Sequence, residues 1–227
     1  MALSDDSASR YYTKVPHDCG NYIGLDGVHC INVNSMNRQL RVSCEEGWTV
    51  LMRRTGPELN FNRPWVDYRN GFGDVAGDHW LGLEAFHHLT NQGNYSLMVE
   101  VRSLLTDNYY WEIHHGFRIG PESKKYVLHK SLRGSGNLSE GNFWSYSFDM
   151  LFSTNDRTYG KRCSEKFRGG WWYNFCAMVS LTGKMAVPGE CKKDCWPWFK
   201  HNGLPGSNND NENALLRWAV MKIKKVD

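Results

Sequence analysis

The chain has 227 residues, 41% hydrophobic and 22% charged, with a net charge of +3 and a pI near 8.4. That length fits one large domain or two small ones, with apolar side chain enough for a core. The charge is too mild to imply a nucleic-acid partner, and no apolar run approaches the ~20 residues of a membrane span.

Aromatic residues make up 14% of the chain and 22 residues are glycine, so turns and ring packing should build it rather than long amphipathic helices. Residues 1–17 read as a linker or an artificial start: Met1 to Tyr12 is polar and lacks a signal-peptide core. Residues 18–50 read as a small β-rich unit, with Val28, Ile31 and Val33, then Leu40, Val42 and Trp48 to Leu51, set among polar residues. Asn62 can cap a short helix that has Pro64 in its first turn and ends at Gly71. A second short helix is expected over Leu83 to Leu89. Strands follow over Tyr95 to Leu105, Tyr109 to Ile119 and Tyr126 to Leu132, spaced as an antiparallel meander. From 134 to 213 periodicity is weak, and a long irregular stretch inside a compact domain is where a site should be sought. The closing segment, Leu215 to Val226, alternates Ala219, Met221 and Ile223 against Val220, Lys222 and Lys224, a strand whose lysines should face solvent.

Seven cysteines lie near the two ends: Cys19, Cys30, Cys44, Cys163, Cys176, Cys191 and Cys195. Such stapling suits an oxidising compartment, and two sequons, Asn94-Tyr-Ser and Asn137-Leu-Ser, agree with secretion and glycosylation. Sequence alone permits many pairings. Local spacing favours Cys163 with Cys176 and Cys191 with Cys195, and Cys19 with Cys44 would leave Cys30 over. Each closure typically contributes ~2–4 kcal/mol. Cys30 is expected to be a buried free thiol in preference to a bridge to another chain.

Nothing in the sequence points to catalysis. The pairs His87-His88 and His114-His115 are adjacent, and adjacent strand residues point to opposite faces, which makes poor joint metal ligands. No zincin, nucleophile-elbow or P-loop pattern occurs. No enzyme activity, cofactor or metal is expected.

Several separated motifs resemble the fibrinogen-related C-terminal domain. They are Gly47-Trp-Thr-Val-Leu-Met-Arg-Arg, then Phe61 through Thr90 with its Trp-Val-Asp-Tyr and Gly-Phe-Gly-Asp segments, then Phe152-Ser-Thr-x-Asp156. Gly169-Gly-Trp-Trp-Tyr-x-x-Cys176, Leu181-Thr-Gly183 and Met221-Lys-Ile complete the match. They span Cys19 to Ile223, and their combination is specific. The resemblance implies an α+β fold in one domain over 18–227: an N-terminal β subdomain (18–50), a central twisted antiparallel sheet with short helices (51–150 plus 214–226) and a loop-rich C-terminal lobe (151–213). It implies disulfides Cys19–Cys44 and Cys163–Cys176. It also implies an extracellular, non-enzymatic recognition module of the kind found in fibrinogen, ficolins, tachylectin-like lectins, angiopoietins and tenascins.

Two of the family's ligand sites depart from pattern. Its calcium loop follows Phe-Ser-Thr with alternating carboxylates, because a hard cation needs several oxygens. Here Asp156 is followed, at the expected ligand positions, by Thr158 and Gly160, with Arg157, Lys161 and Arg162 among them. No calcium is expected, and Asp156 reads as a turn or cap residue. In the acetyl pocket, the family's tyrosine, histidine and tyrosine are replaced by Phe167, Ala177 and Ala214, which removes polar groups an amide-reading site depends on. Trp171, Trp172, Tyr173, Phe175 and Cys176 remain as pocket candidates, with Trp196 and Trp198 as loop aromatics; core packing is the alternative for the tryptophans. The expectation is a secreted domain that binds an extracellular protein or receptor through the C-terminal lobe. The alternative is an innate-immune lectin for acetylated or other glycans. Oligomerisation is expected to reside in segments outside this chain.

Overall fold

The computed structural model describes residues 15–104, 106–138, 144–176, 179–185, 198–199 and 214–226. In chain order the elements are β1 (Gly27–Asn32), β2 (Gln39–Glu45), β3 (Trp48–Arg54), α1 (Trp65–Asn70), β4 (Phe72–Gly73), β5 (His79–Trp80), α2 (Leu83–Asn91), β6 (Tyr95–Ser103) and β7 (Tyr109–His115). Then come β8 (Leu132–Gly136), α3 (Cys163–Phe167), β9 (Val179–Ser180), β10 (Trp198–Phe199) and β11 (Ala214–Lys225). One antiparallel sheet runs β1-β2-β3-β11-β6-β7-β8, so the last strand lies in its middle. Short helices and mostly antiparallel strands make this the expected α+β fold.

Local chemistry explains most elements. The β2–β3 hairpin turns on Glu46 and Gly47, both left-handed at φ of 50° and 80°, as the tight turn that matches strand twist requires. In β6, Leu97, Val99 and Val101 face the core, and in β11 their registered partners Ile223, Met221 and Ala219 do the same. Helix α2 buries Leu83, Phe86 and Leu89 at helical spacing against that face. Rings fill the space between: Tyr68 meets Trp80 at 5.2 Å and 75°, and Phe152 meets Trp172 at 5.0 Å and 79°. Edge-to-face pairs of this kind add ~0.5–1.5 kcal/mol beyond area burial.

Four expectations need correction. Asn62 does not cap α1. Pro64 stands before Trp65, and the first free N–H is taken by the Asp156 carboxylate at 2.9 Å, from 91 residues away. Residues 126–131 are not a strand. Lys125 and Tyr126 both sit at positive φ, and Leu128 exchanges hydrogen bonds with the 149–150 segment, so the next strand starts at Leu132. Lys222 does not face bulk solvent. Its ammonium lies 2.6 Å from Glu100 and 3.6 Å from Glu45, with the residue only 7% exposed. Cys30 is exposed, not buried, because β1 is an edge strand and Cys30 alternates with buried Ile31.

Candidate functional site

Residues 153–183 are fastened to the sheet and to α1 by polar and aromatic contacts. Tyr68 on α1 accepts the Gly170 N–H at 2.9 Å and donates to Phe61 O at 2.7 Å. Burial pushes its hydroxyl pKa well up, so it stays a neutral donor. Arg54, buried on β3, donates to the carbonyls of Leu181 and Gly183. Thr182 Oγ1 donates to Gly170 O at 2.6 Å. Ser153 and Trp171 exchange both backbone hydrogen bonds at 3.0 and 3.1 Å. These contacts need two glycines. A Cβ on Gly169 would lie 2.3 Å from Thr182 O, and one on Gly170 would lie 2.8 Å from both Phe152 and Tyr68 rings.

That scaffold decides where the candidate residues go. Trp171 and Trp172 are fully buried, and the Trp172 indole donates to Tyr126 O at 2.7 Å. Tyr173 is buried, with its hydroxyl donating to Gly169 O, and burial raises its pKa strongly. Phe167 is buried and stacked on Tyr173 at 5.7 Å. These four rings therefore serve as interior packing behind the lobe surface. Phe175 is the opposite case: it is 78% exposed and sits beside the Cys163–Cys176 disulfide. Phe175 and Cys176 both lie at positive φ, 45° and 82°, a strained pair for residues with a Cβ. No cis peptide occurs among the described residues.

Trp198 lies on β10, registered with Ser180 of β9 and Leu215 of β11. Ala177, Trp196, Cys191 and Cys195 lie outside the described residues. The disulfides Cys19–Cys44 and Cys163–Cys176 are formed. Asn94 and Asn137 are both exposed, though the Asn137 amide is engaged, accepting from the Trp111 N–H at 2.8 Å.

Protein side chains supply the contacts that order the 155–162 loop. Asp156 Oδ1 accepts from the Trp65 N–H at 2.9 Å and from the Thr154 hydroxyl at 2.6 Å. Arg157 lies over the Trp65 ring at 5.1 Å and reaches Glu122 at 3.8 Å, while Arg69 holds the other Glu122 oxygen at 3.0 Å. Lys161 places its ammonium 4.8 Å above the Phe175 ring, and the Arg162 side chain is 81% exposed. Aromatic and cationic groups thus share one exposed edge beside the disulfide. In the sequence these cations read only as an obstacle to calcium. The partner of Asp156, and the pairing of Lys161 with Phe175, came from folding and left no local trace.

Among the described residues no helix is long and apolar enough to cross a membrane, and no group of three or more His, Cys, Asp or Glu is placed to hold a metal.

Residues 16–225 match the family model of the fibrinogen beta and gamma chains, C-terminal globular domain. Human angiopoietin-4 is 37% identical over 210 residues, covering 88% of this chain and 40% of that protein. Fibrinogen-like protein A of Apostichopus parvimensis is 34% identical over 186 residues, covering 79% of this chain and 61% of that one. The fibrinogen-like globe domain of human ANGPTL2 superposes with a TM-score of 0.79 at 30% identity, over 92% of this chain and 99% of that one. Lamprey fibrin D-dimer, complexed with the peptide Gly-His-Arg-Pro-amide, gives 0.78 at 27% identity, over 99% of this chain and 78% of that chain. The chain spans about two fifths of the length of the angiopoietin relatives. With a family match that runs almost end to end and a sheet that closes on the same motifs, the chain belongs to the fibrinogen C-terminal globular domain family.

Proposed function

We propose that this domain is a secreted, non-enzymatic recognition module that binds an extracellular protein through the exposed edge of its C-terminal lobe, without calcium. The observation that carries this is the pairing of Phe175, open to solvent, with Lys161, next in sequence to the exposed Arg162 that reaches Glu165, in the loop whose Asp156 carboxylate is already used as a helix cap. Exposed aromatic and arginine side chains are the usual anchors of a protein interface. The cationic loop leaves no second carboxylate to complete an oxygen cage, so calcium has little to hold. The two disulfides fit an oxidising, extracellular setting. The peptide in the lamprey fibrin complex is itself cationic; an edge that carries Lys161 and Arg162 suits a partner of the other sign.

The test is binding of the labelled domain to intact cells with and without prior protease treatment. Loss after protease, persistence in a calcium chelator and a reduction of roughly tenfold in the Phe175→Ser variant are expected, the last being the scale of one interface anchor. Retention on N-acetylated resin with elution by free N-acetylglucosamine would instead assign a lectin and overturn the reading.

A further inference from the structure

The face of the sheet turned away from the helices carries a second feature, independent of the lobe. Strands β11, β6 and β7 place Lys222, Met98 and Ile113 in one row of that face and Val220, Glu100 and Trp111 in the next. Between this face, the β2 strand and the loop joining β4 to β5 lies a groove of about 1030 Å³. A smaller hollow of about 250 Å³ continues it, sharing Glu46, Glu100, Tyr109 and Lys222. Its walls are Trp48, Met98, Trp111 and Ile113, all only partly buried.

The charges divide into two sets. On the floor, Lys222 bridges Glu45 and Glu100, Arg53 pairs with Glu45, and the Tyr109 hydroxyl donates to Glu100. That set is satisfied internally. On the rim stand Asp26, Glu46 and Asp78, and none has an ion-pair partner among the described residues. Two of these carboxylates are held in place: Asp26 accepts the Glu46 N–H at 2.7 Å, and Asp78 accepts the Thr55 N–H and hydroxyl, both at 2.9 Å. The groove as a whole has five carboxylates against two cations, in a chain whose net charge is +3. Its field is therefore opposite in sign to that of the molecule.

We propose that this groove docks an extended, lysine- or arginine-bearing segment of a partner protein. An extended chain points alternate side chains to opposite sides. Aliphatic residues would lie on Trp111 and Ile113, and the cationic residues between them would reach the rim carboxylates. The acidic rim repels phosphate-rich partners, which excludes nucleic acid and anionic lipid on the same electrostatic ground.

The test uses the full chain and the peptide acetyl-Lys-Val-Lys-Val-Lys-Val-Lys-amide as probe, followed by calorimetry and by amide chemical shifts. Saturable one-to-one binding is expected, with shifts confined to β2, β6, β7 and β11. Glu46→Lys and Trp111→Ala should each weaken it by roughly tenfold, the scale of one interface charge or aromatic anchor, and added salt should weaken it further. Phe175→Ser should leave it unchanged. Wild-type affinity in both groove variants, equal binding of the glutamate counterpart of the peptide, or no saturation at millimolar peptide would overturn the proposal. Peptide-free dimerisation abolished by Glu46→Lys would also overturn it, by assigning the face to a second copy. Thermal melts of the two variants, expected close to wild type because both side chains reach solvent, separate lost binding from lost folding.

Discussion

Replacing Asp156 with alanine should loosen the junction between the lobe and the sheet whether or not calcium is present. The side chain satisfies the first free N–H of α1 and the Thr154 hydroxyl at 2.9 and 2.6 Å. Loss of a helix N-cap costs ~0.5–2 kcal/mol, and a carboxylate beside the positive end of a helix adds ~0.3–1 kcal/mol. The Trp65 N–H lies in a partly buried position, so little water can replace the cap, and the upper half of the combined range applies: ~2–3 kcal/mol. For a chain of this size each kcal/mol moves the midpoint by ~2–4 °C, so the melt should fall by about 4–12 °C. Asp156→Asn keeps an acceptor and loses the charge, and should cost about half as much. Guanidinium unfolding at pH 7, with disulfides intact, measures the free-energy change, and melts in 5 mM calcium or chelator (about that level suffices for even weak extracellular sites) provide the control. A wild-type melt raised by calcium, with the rise abolished in Asp156→Ala, would refute the reasoning by making the carboxylate a ligand and not a cap.

Three further outcomes follow from buried groups. Lys222→Met should be severely destabilising, on the order of 3–5 kcal/mol, because it takes the cationic partner from Glu100, 7% exposed, and leaves it the Tyr109 hydroxyl; adding Glu100→Gln should recover about half of the loss in chemical denaturation. Gly170→Ala should cost ~1–3 kcal/mol through overpacking, since its methyl meets Phe152 and Tyr68 at 2.8 Å, and circular dichroism melts will show it. Burial holds the His79 pKa below its ordinary value of 6.5. The unfolded chain therefore binds the proton first, so the stability from neutral His79 is complete above pH 6.5 and is lost as the pH falls below it toward the folded value. Melts from pH 7.5 to 5 should show that loss, and His79→Gln should flatten it (a window of roughly the span over which histidine titrates).

Much of the scaffold could be read from the residues because it depends on local rules. The alternation of Leu97, Val99 and Val101 and the break at Gly71 are period and turn signals, and both appear where expected. Trp171 and Trp172 carried two readings, and burial places both in the interior. What was not legible depends on distant partners. Lys222 has the spacing of a solvent-facing lysine, and only the approach of Glu45 and Glu100 from two other strands buries it. Tyr126 begins a run with strand-like composition, yet its left-handed backbone and the 149–150 segment claim it. Cys30 was the exception, since its alternation with Ile31 already pointed it away from the core.

The position of β11 bears on how the molecule is made. Strands β3 and β6 are not neighbours; each pairs with β11, which begins at Ala214. During synthesis at ~5–20 residues per second, both strands must wait many seconds with an unpaired inner edge. Open edges of apolar strands are templates for wrong pairing. Translation therefore leaves a window in which chaperones are needed and nascent chains can join one another. Premature release of the polypeptide before residue 214 would yield a product with two extra sticky borders, the ones β11 covers in the finished molecule.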